Sequence, residues 1–372
     1  MVETRRFASS IRDDPIIAAA KEETMTDQDR SIARRDVIMT GGVGLGAGLA
    51  AGLVPATSMA QMSAAAAPAV TEIWSSEYWA KKGAVDLNLW RKRLGAPQAG
   101  AAPHPVLFMV HGSSNSARTS YDLAVPGKGE YSLMNVFARY GFDVWTMDHE
   151  GYGKSSRTSG NSDIASGVED LKAAIEVVTR ETGRTKAHFF GTSSGAIRAA
   201  AFAMARPDRV DRLVLSAFTY KGKGSPTLGE RAKKLDYYRT HNTRLRDAAM
   251  IKSIFTRDGL ASAYDPAVAD AMADEELKYG DQVPTGTYLD MTATLPPVDP
   301  LKVKCPVMLV RGDHDGIATT DDLLDFYRQL PTGDRQFIIL PNTAHSPIFA
   351  KTRQMLWHVT HSFLDLPDAA AT

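Results

Sequence analysis

The chain has 372 residues, 44% hydrophobic and 23% charged, enough apolar content to bury a sizeable core. Its 43 Lys and Arg balance 43 Asp and Glu, so no strong field recruits nucleic acid or an anionic membrane surface. The single cysteine, Cys305, excludes an internal disulfide, and no Cys/His cluster suggests structural zinc.

The first distinctive stretch is Arg34-Arg35, followed by Val37-Ile38-Met39 and a Gly/Ala/Leu run to Leu53. Pro55 and the small-x-small sequence Ser58-Met59-Ala60 close it. Twin arginine, a mildly apolar segment and that ending resemble a twin-arginine export signal, with cleavage expected near Ala60 or Gln61. A transmembrane anchor is the alternative. Glycines at 41, 42, 44, 46, 48 and 52 would make a poor membrane helix, so no stable span is expected after cleavage. The expected location is the periplasm or outside the cell. Met25 is a second candidate start, which would make residues 1–24 an upstream extension. Residues 1–68 are therefore set apart from the fold.

Thr71–Trp79 and Val85–Leu94 read as a β-hairpin around Lys81-Lys82-Gly83. Val106–Val110 is a continuous apolar run, the mark of a strand covered on both faces. A short helix is expected over Tyr131–Tyr140 and a second buried strand over Phe142–Met147. Ile164–Glu181 is a long amphipathic helix with Val168, Leu171, Ile175 and Val178 on one stripe. Strands follow at Ala187–Phe190 and Val210–Ser216. From Tyr220 to Val298 the alternation breaks, with amphipathic helical pieces and no strong strand. Strands resume at Pro306–Val310 and Gln336–Leu340, each before a helix, Thr320–Leu330 and Pro347–Leu364. Such alternation implies a mostly parallel, doubly wound α/β sheet with ligands bound at the carboxyl ends of its strands. Residues 69–219 and 300–372 form its two parts. The insertion at 220–299 is too long for a plain connection and reads as a helical cap.

The chemistry centres on Gly191-Thr192-Ser193-Ser194-Gly195, between a strand and an alanine-rich helix. A sharp strand-to-helix turn exposes a serine hydroxyl, and small neighbours let the two backbones pass closely. Among nine histidines, His345 lies in a loop after the last strand, on the same face as this turn, and is the candidate base. The loop Arg311-Gly312-Asp313-His314-Asp315 supplies the orienting carboxylate: Asp315 is preferred, and Asp313 is its rival. Two carboxylates two residues apart point differently, so the other is expected to cap the loop. Backbone donors for an oxyanion are expected from Ser194 and from Ser113 in His111-Gly112-Ser113, with His111 structural.

These motifs, in this order, resemble the α/β-hydrolase family over residues 72–366. The resemblance rests on Ser193, Asp315 and His345 in sequence order, His111-Gly112, and Asp148-x-x-Gly151-x-Gly153-x-Ser155. It implies an α/β-hydrolase fold with an eight-stranded sheet and a cap, hydrolysis of an ester or related acyl bond, and no cofactor. The Asp148 loop is read as structural. The expected substrate is a small-molecule ester, apolar or aromatic; a lactone, an amide or a carbon–carbon bond would use the same triad. Ser114, Tyr220, Tyr288 and Met291 are candidate substrate contacts, and Arg244, Arg246 and Lys252 candidate contacts for an acidic one. A metal site at Asp148, His149, Asp313 and His314, or a non-catalytic binding protein on this fold, are the readings from other classes. Oligomeric state is left open.

Overall fold

A computed structural model describes residues 72–367, so the export-signal segment lies outside the described residues. The chain opens with the hairpin of β1 (Ile73–Lys82) and β2 (Val85–Leu94), paired antiparallel along its length. Gly83 closes it at φ 59°, a left-handed conformation that glycine adopts without a Cβ clash. There follow β3 (Val106–Val110), α1 (Ala117–Tyr121), α2 (Leu133–Arg139) and β4 (Asp143–Met147). Next come α3 (Ile164–Thr182), β5 (Ala187–Thr192), α4 (Ser194–Ala205) and β6 (Val210–Ser216). The insertion holds α5 (Pro226–Ala232), α6 (Leu235–Thr240), β7 (Thr243–Leu245), α7 (Ala248–Ser253), α8 (Pro266–Leu277), β8 (Gln282–Pro284) and α9 (Gly286–Ala293). The chain returns through β9 (Val307–Gly312), α10 (Thr320–Gln329), β10 (Arg335–Leu340) and α11 (Arg353–Leu364).

Among the described residues, the main sheet has eight strands in the order β1-β2-β4-β3-β5-β6-β9-β10. Only the β1–β2 and β2–β4 pairs are antiparallel. The α/β-hydrolase fold expected from the motifs is the one observed. Alternation along β3 shows why its run is apolar throughout. Phe108 packs into the core shared with Val168, Leu171 and Ile197, whereas Leu107 and Met109 pack into the opposite one with Phe137 and Leu356. The α3 stripe is buried as its period requires. Asp163 caps the helix by accepting from the Ser166 amide, and Gly183 ends it at φ 71°.

Two expectations need correction. The helix read from Pro347 is a 3-10 turn, Pro347–Phe349, before α11. Ala350 bridges Tyr264, and the Lys351 amide donates to Ala263 O at 2.8 Å, so this stretch is extended where it meets the insertion. The insertion also contains strand: β7 and β8 pair antiparallel over three residues, too few to leave a periodic signal.

Candidate active site

Ser193 sits between β5 and α4 at φ 55°, ψ −125°, and its amide donates to Ser216 O at 2.9 Å. A non-glycine residue there stores about 1–3 kcal/mol of backbone strain. The flanking glycines make the turn possible. A Cβ at Gly191 would lie 2.5 Å from Ala196 Cα, and one at Gly195 would collide with the Val110 and His111 carbonyls. Strand β3, strand β5 and helix α4 thus meet with nothing between them.

The loops after β9 and β10 bring the next two groups. His345 Nδ1 donates to Asp315 Oδ1 at 2.8 Å, which leaves Nε2 to accept from the Ser193 hydroxyl at 2.9 Å. Burial alone would raise the Asp315 pKa. His345 and the amides of Ile317 and Ala318 instead hold its carboxyl below the usual range. Asp313 does the other job: it accepts from the Asn342 and Thr343 amides, both at 3.0 Å, and so caps the β10 loop. Gly312 has no room for a Cβ against the Thr343 and Ala344 carbonyls, which keeps the two loops in contact.

The loop after β3 closes the site from the opposite side. A Cβ on Gly112 would lie 3.1 Å from the Ser193 Cβ, so this backbone runs directly against the serine. The Ser113 and Ser194 hydroxyls hydrogen-bond at 2.7 Å, and Ser113 Oγ also meets Thr287 Oγ1 of α9 at 2.5 Å. His111 is buried and neutral: burial drives its pKa well down, its Nδ1 donates to Gly112 O, and its Nε2 accepts from the His149 amide. Asp148 is buried too, its pKa raised to about 6 by desolvation despite accepting from the Ala117 and Lys154 amides. Both tie loops together. Among the described residues no group of three or more His, Cys, Asp or Glu side chains is placed to hold a metal ion.

The chamber over Ser193 is lined by Ser113, Ser114, Tyr288 and His345, with Ile254, Ile348 and Phe349 as apolar walls. Ser114, at φ 79°, hydrogen-bonds Tyr288 through its hydroxyl at 2.5 Å. Two candidate contacts fall elsewhere. The Tyr220 ring packs edge-on against Phe326 and its amide donates to Asp322, while Met291 is buried in the core beneath the cap. Arg246 is not free for a ligand, because it forms a buried ion pair with Glu276 at 2.5 Å. Lys252 pairs with Asp270 at the surface.

Sequence reading missed Asp258, Arg231 and Arg257 here, and counted Tyr264 only among the aromatics of the insertion. Asp258 accepts from the His345 amide at 3.0 Å, and the Tyr264 hydroxyl accepts from the Ser346 amide at 3.1 Å, so the insertion holds the base loop. Arg231 and Arg257 line the chamber. All four lie in irregular or weakly periodic stretches, and only the fold brings them near Ser193.

Residues 102–351 match the family described as "Serine aminopeptidase, S33". A Paraburkholderia phymatum protein named 2-hydroxy-6-oxononadienedioate/2-hydroxy-6-oxononatrienedioate hydrolase is 32% identical over 124 residues, 32% of this chain. That match spans 38% of the relative's length. Among solved structures, a hydrolase from Pseudomonas aeruginosa PA01 superposes with a TM-score of 0.59 at 18% identity, over 78% of this chain and 98% of that one. The enol-lactonase from Burkholderia xenovorans LB400 gives 0.57 at 17%, over 78% and 100%. At these identities the likeness is one of fold.

Proposed function

The chain belongs to the serine aminopeptidase S33 family of α/β-hydrolases, and from that membership we propose that it is a carboxylic ester hydrolase working through an acyl-enzyme. The observation that carries this reading is the hydrogen-bonded line from Ser193 through His345 to Asp315, set at a strained turn beside the Gly112 loop.

His345 Nε2 takes the hydroxyl proton as Ser193 Oγ attacks the ester carbonyl. Asp315 steadies the imidazolium that results, without itself taking a proton. The amides of Ser113 and Ser194 hold the oxyanion, each such donor being worth about 10²–10³ in rate. The carbon–oxygen bond to the alcohol breaks, and His345 returns the proton to that oxygen. Water then enters, gives its proton to His345, and attacks the acyl carbon. Collapse releases the acid and restores Ser193. No step draws on a cofactor. Ile254, Ile348 and Phe349 offer an apolar acyl wall.

The test is a panel of p-nitrophenyl esters of increasing chain length, with a lactone and an anilide added, run beside fluorophosphonate labelling. Ester turnover together with labelling at Ser193 is expected. Substitution Ser193→Ala should lower kcat by about 10⁴-fold or more while the fold persists. An undiminished rate in that variant, or no labelling of the parent chain, would sink the proposal.

A further inference from the structure

Two arginines of the insertion converge on one phenol above the nucleophile, and a third lines the same walls. Arg231 on α5 stacks its guanidinium 4.6 Å from the centre of the Tyr288 ring, and Arg244 on β7 lies 4.3 Å from it. Arg244 Nη2 also donates to the Tyr288 hydroxyl at 2.7 Å and to Ser114 Oγ at 2.9 Å. Arg231, Arg257 and Tyr288 line both the chamber that holds Ser193 and an outer recess completed by Arg244. The recess therefore borders the same site.

Among the described residues the charge there is balanced only in part: Glu230 also lines the recess, but its carboxylate pairs with Lys233. Arg257 is paired: its Nε lies 3.7 Å from Asp258 Oδ1, while Oδ2 of that carboxylate accepts from the His345 amide. Among the described residues Arg231 reaches the Met291 sulfur and the Tyr288 ring, and Arg244 reaches hydroxyls, the Met250 sulfur and that ring. Among the described residues neither has a carboxylate partner, and Arg244 Nε is buried with no hydrogen-bond acceptor. The contrast with Arg246, closed onto Glu276, is direct. Burial brings Arg231 down to about 10 against the opposing pull of Tyr288, with Arg257 and Arg244 adding to the fall; burial pushes Tyr288 up, but Arg244 and Arg231 outweigh it and bring the phenol down to about 8. Arg231 and Arg244 are half-buried and Arg257 is exposed, so an anion can enter from water and add charge-assisted hydrogen bonds to them.

We propose that Arg231, Arg244 and Arg257 form a subsite for a carboxylate of the substrate, so that the ester cleaved at Ser193 carries an acid group beyond its scissile bond. A guanidinium fork matches a planar carboxylate in two parallel hydrogen bonds, and the apolar walls fit the carbon chain between acid and ester. This assignment rests on the ester hydrolase reading and narrows its substrate class.

Matched pairs test it. Monoethyl adipate against ethyl hexanoate places the charge on the acyl side; 4-acetoxybutanoate against butyl acetate places it on the alcohol side. One anionic ester should exceed its neutral partner by about tenfold or more in kcat/KM, the scale of a charge-assisted contact. The preferred pair reports which side the arginines hold. In the double variant Arg231→Gln/Arg244→Gln that ratio should collapse toward one. Ratios near one in the parent chain for both pairs, or a preference that survives the double variant, overturn the subsite. A second readout does not need turnover: glutarate binding to Ser193→Ala by calorimetry, with glutaramide as the uncharged control. Glutarate should bind, and should weaken about tenfold or more when both arginines are replaced. If no ester is turned over but glutarate binds through these arginines, the ester reading fails and the anion subsite stands. If esters are cleaved with no charge preference and glutarate does not bind, the reverse holds.

Discussion

The sheet brings Ser193, Asp315 and His345 to the chamber from loops that follow β5, β9 and β10; the insertion brings Arg231, Arg244 and Tyr288 from α5, β7 and α9. The first group is held by neighbours that satisfy it. Asp315 accepts from two amides and His345, and the glycines at 191, 195 and 312 leave room for nothing but backbone. In the second group, two cations have no carboxylate partner among the described residues. Groups that transfer protons need fixed distances, which short loops on a rigid sheet supply. Groups that recognise a ligand can leave their charge open until the ligand arrives. The insertion is not independent of the sheet, since Asp258 and Tyr264 bind the amides of the base loop.

The largest effect that sharpens this contrast lies within the acid loop. Asp315→Asn should lower kcat by about 10³–10⁴-fold, through loss of the tautomer that lets His345 accept a proton. Asp313→Asn, two residues away, should leave kcat close to the parent value and cost about 1–3 kcal/mol of stability through its two amide contacts. Steady-state kinetics beside urea unfolding separates them; equal kinetic losses would mean the two carboxylates share the role.

In the insertion, Arg246→Met leaves Glu276 buried without its cationic partner, held only by hydrogen bonds from Ser116 and Thr119. Urea unfolding should show a loss of about 3–5 kcal/mol, the usual cost of breaking a buried ion pair from one side. A loss under about 1 kcal/mol would mean that this pair contributes little to the packing of the insertion.

The smallest effect is one of pH. Tyr288 has its phenol pKa lowered from 10.0 to about 8 by the arginines, so the folded state releases that proton before the unfolded chain does. Stability contributed by the phenolate is thus full above the unfolded value and is lost as pH falls through 8. Relative to Tyr288→Phe, the parent chain should gain stability between pH 8 and 10, by at most about 1.4 kcal/mol per unit. Parallel stability curves for the two chains over that range would show that the arginines do not act on this phenol.

Much of the fold was legible. Continuous apolar runs marked β3 and β4, the 3.6-residue stripe marked α3, and the strand–Gly-x-Ser-x-Gly–helix grammar marked the elbow, because each is encoded within a few consecutive residues. The positions of Asp315 and His345 followed from the order of strands, since every loop at the same sheet edge opens on one side. The choice of Asp315 over Asp313 agrees with where the two side chains point. Tyr220 and Met291 were misplaced for a reason of the same kind: an aromatic or a thioether in a helical stretch has no local sign of whether it faces a chamber or a core.

By itself, then, the sequence determined the sheet, the strained turn at Ser193 and the loops that meet there, because these depend on propensity, period and glycine at defined offsets. Only the tertiary structure decided what stands over the serine. Arg231, Arg244 and Arg257 lie on a helix, a three-residue strand and a turn, with no spacing that relates them. Their meeting around Tyr288 is a property of how the insertion packs, and arginines so scattered leave no pattern along a chain until folding brings them together.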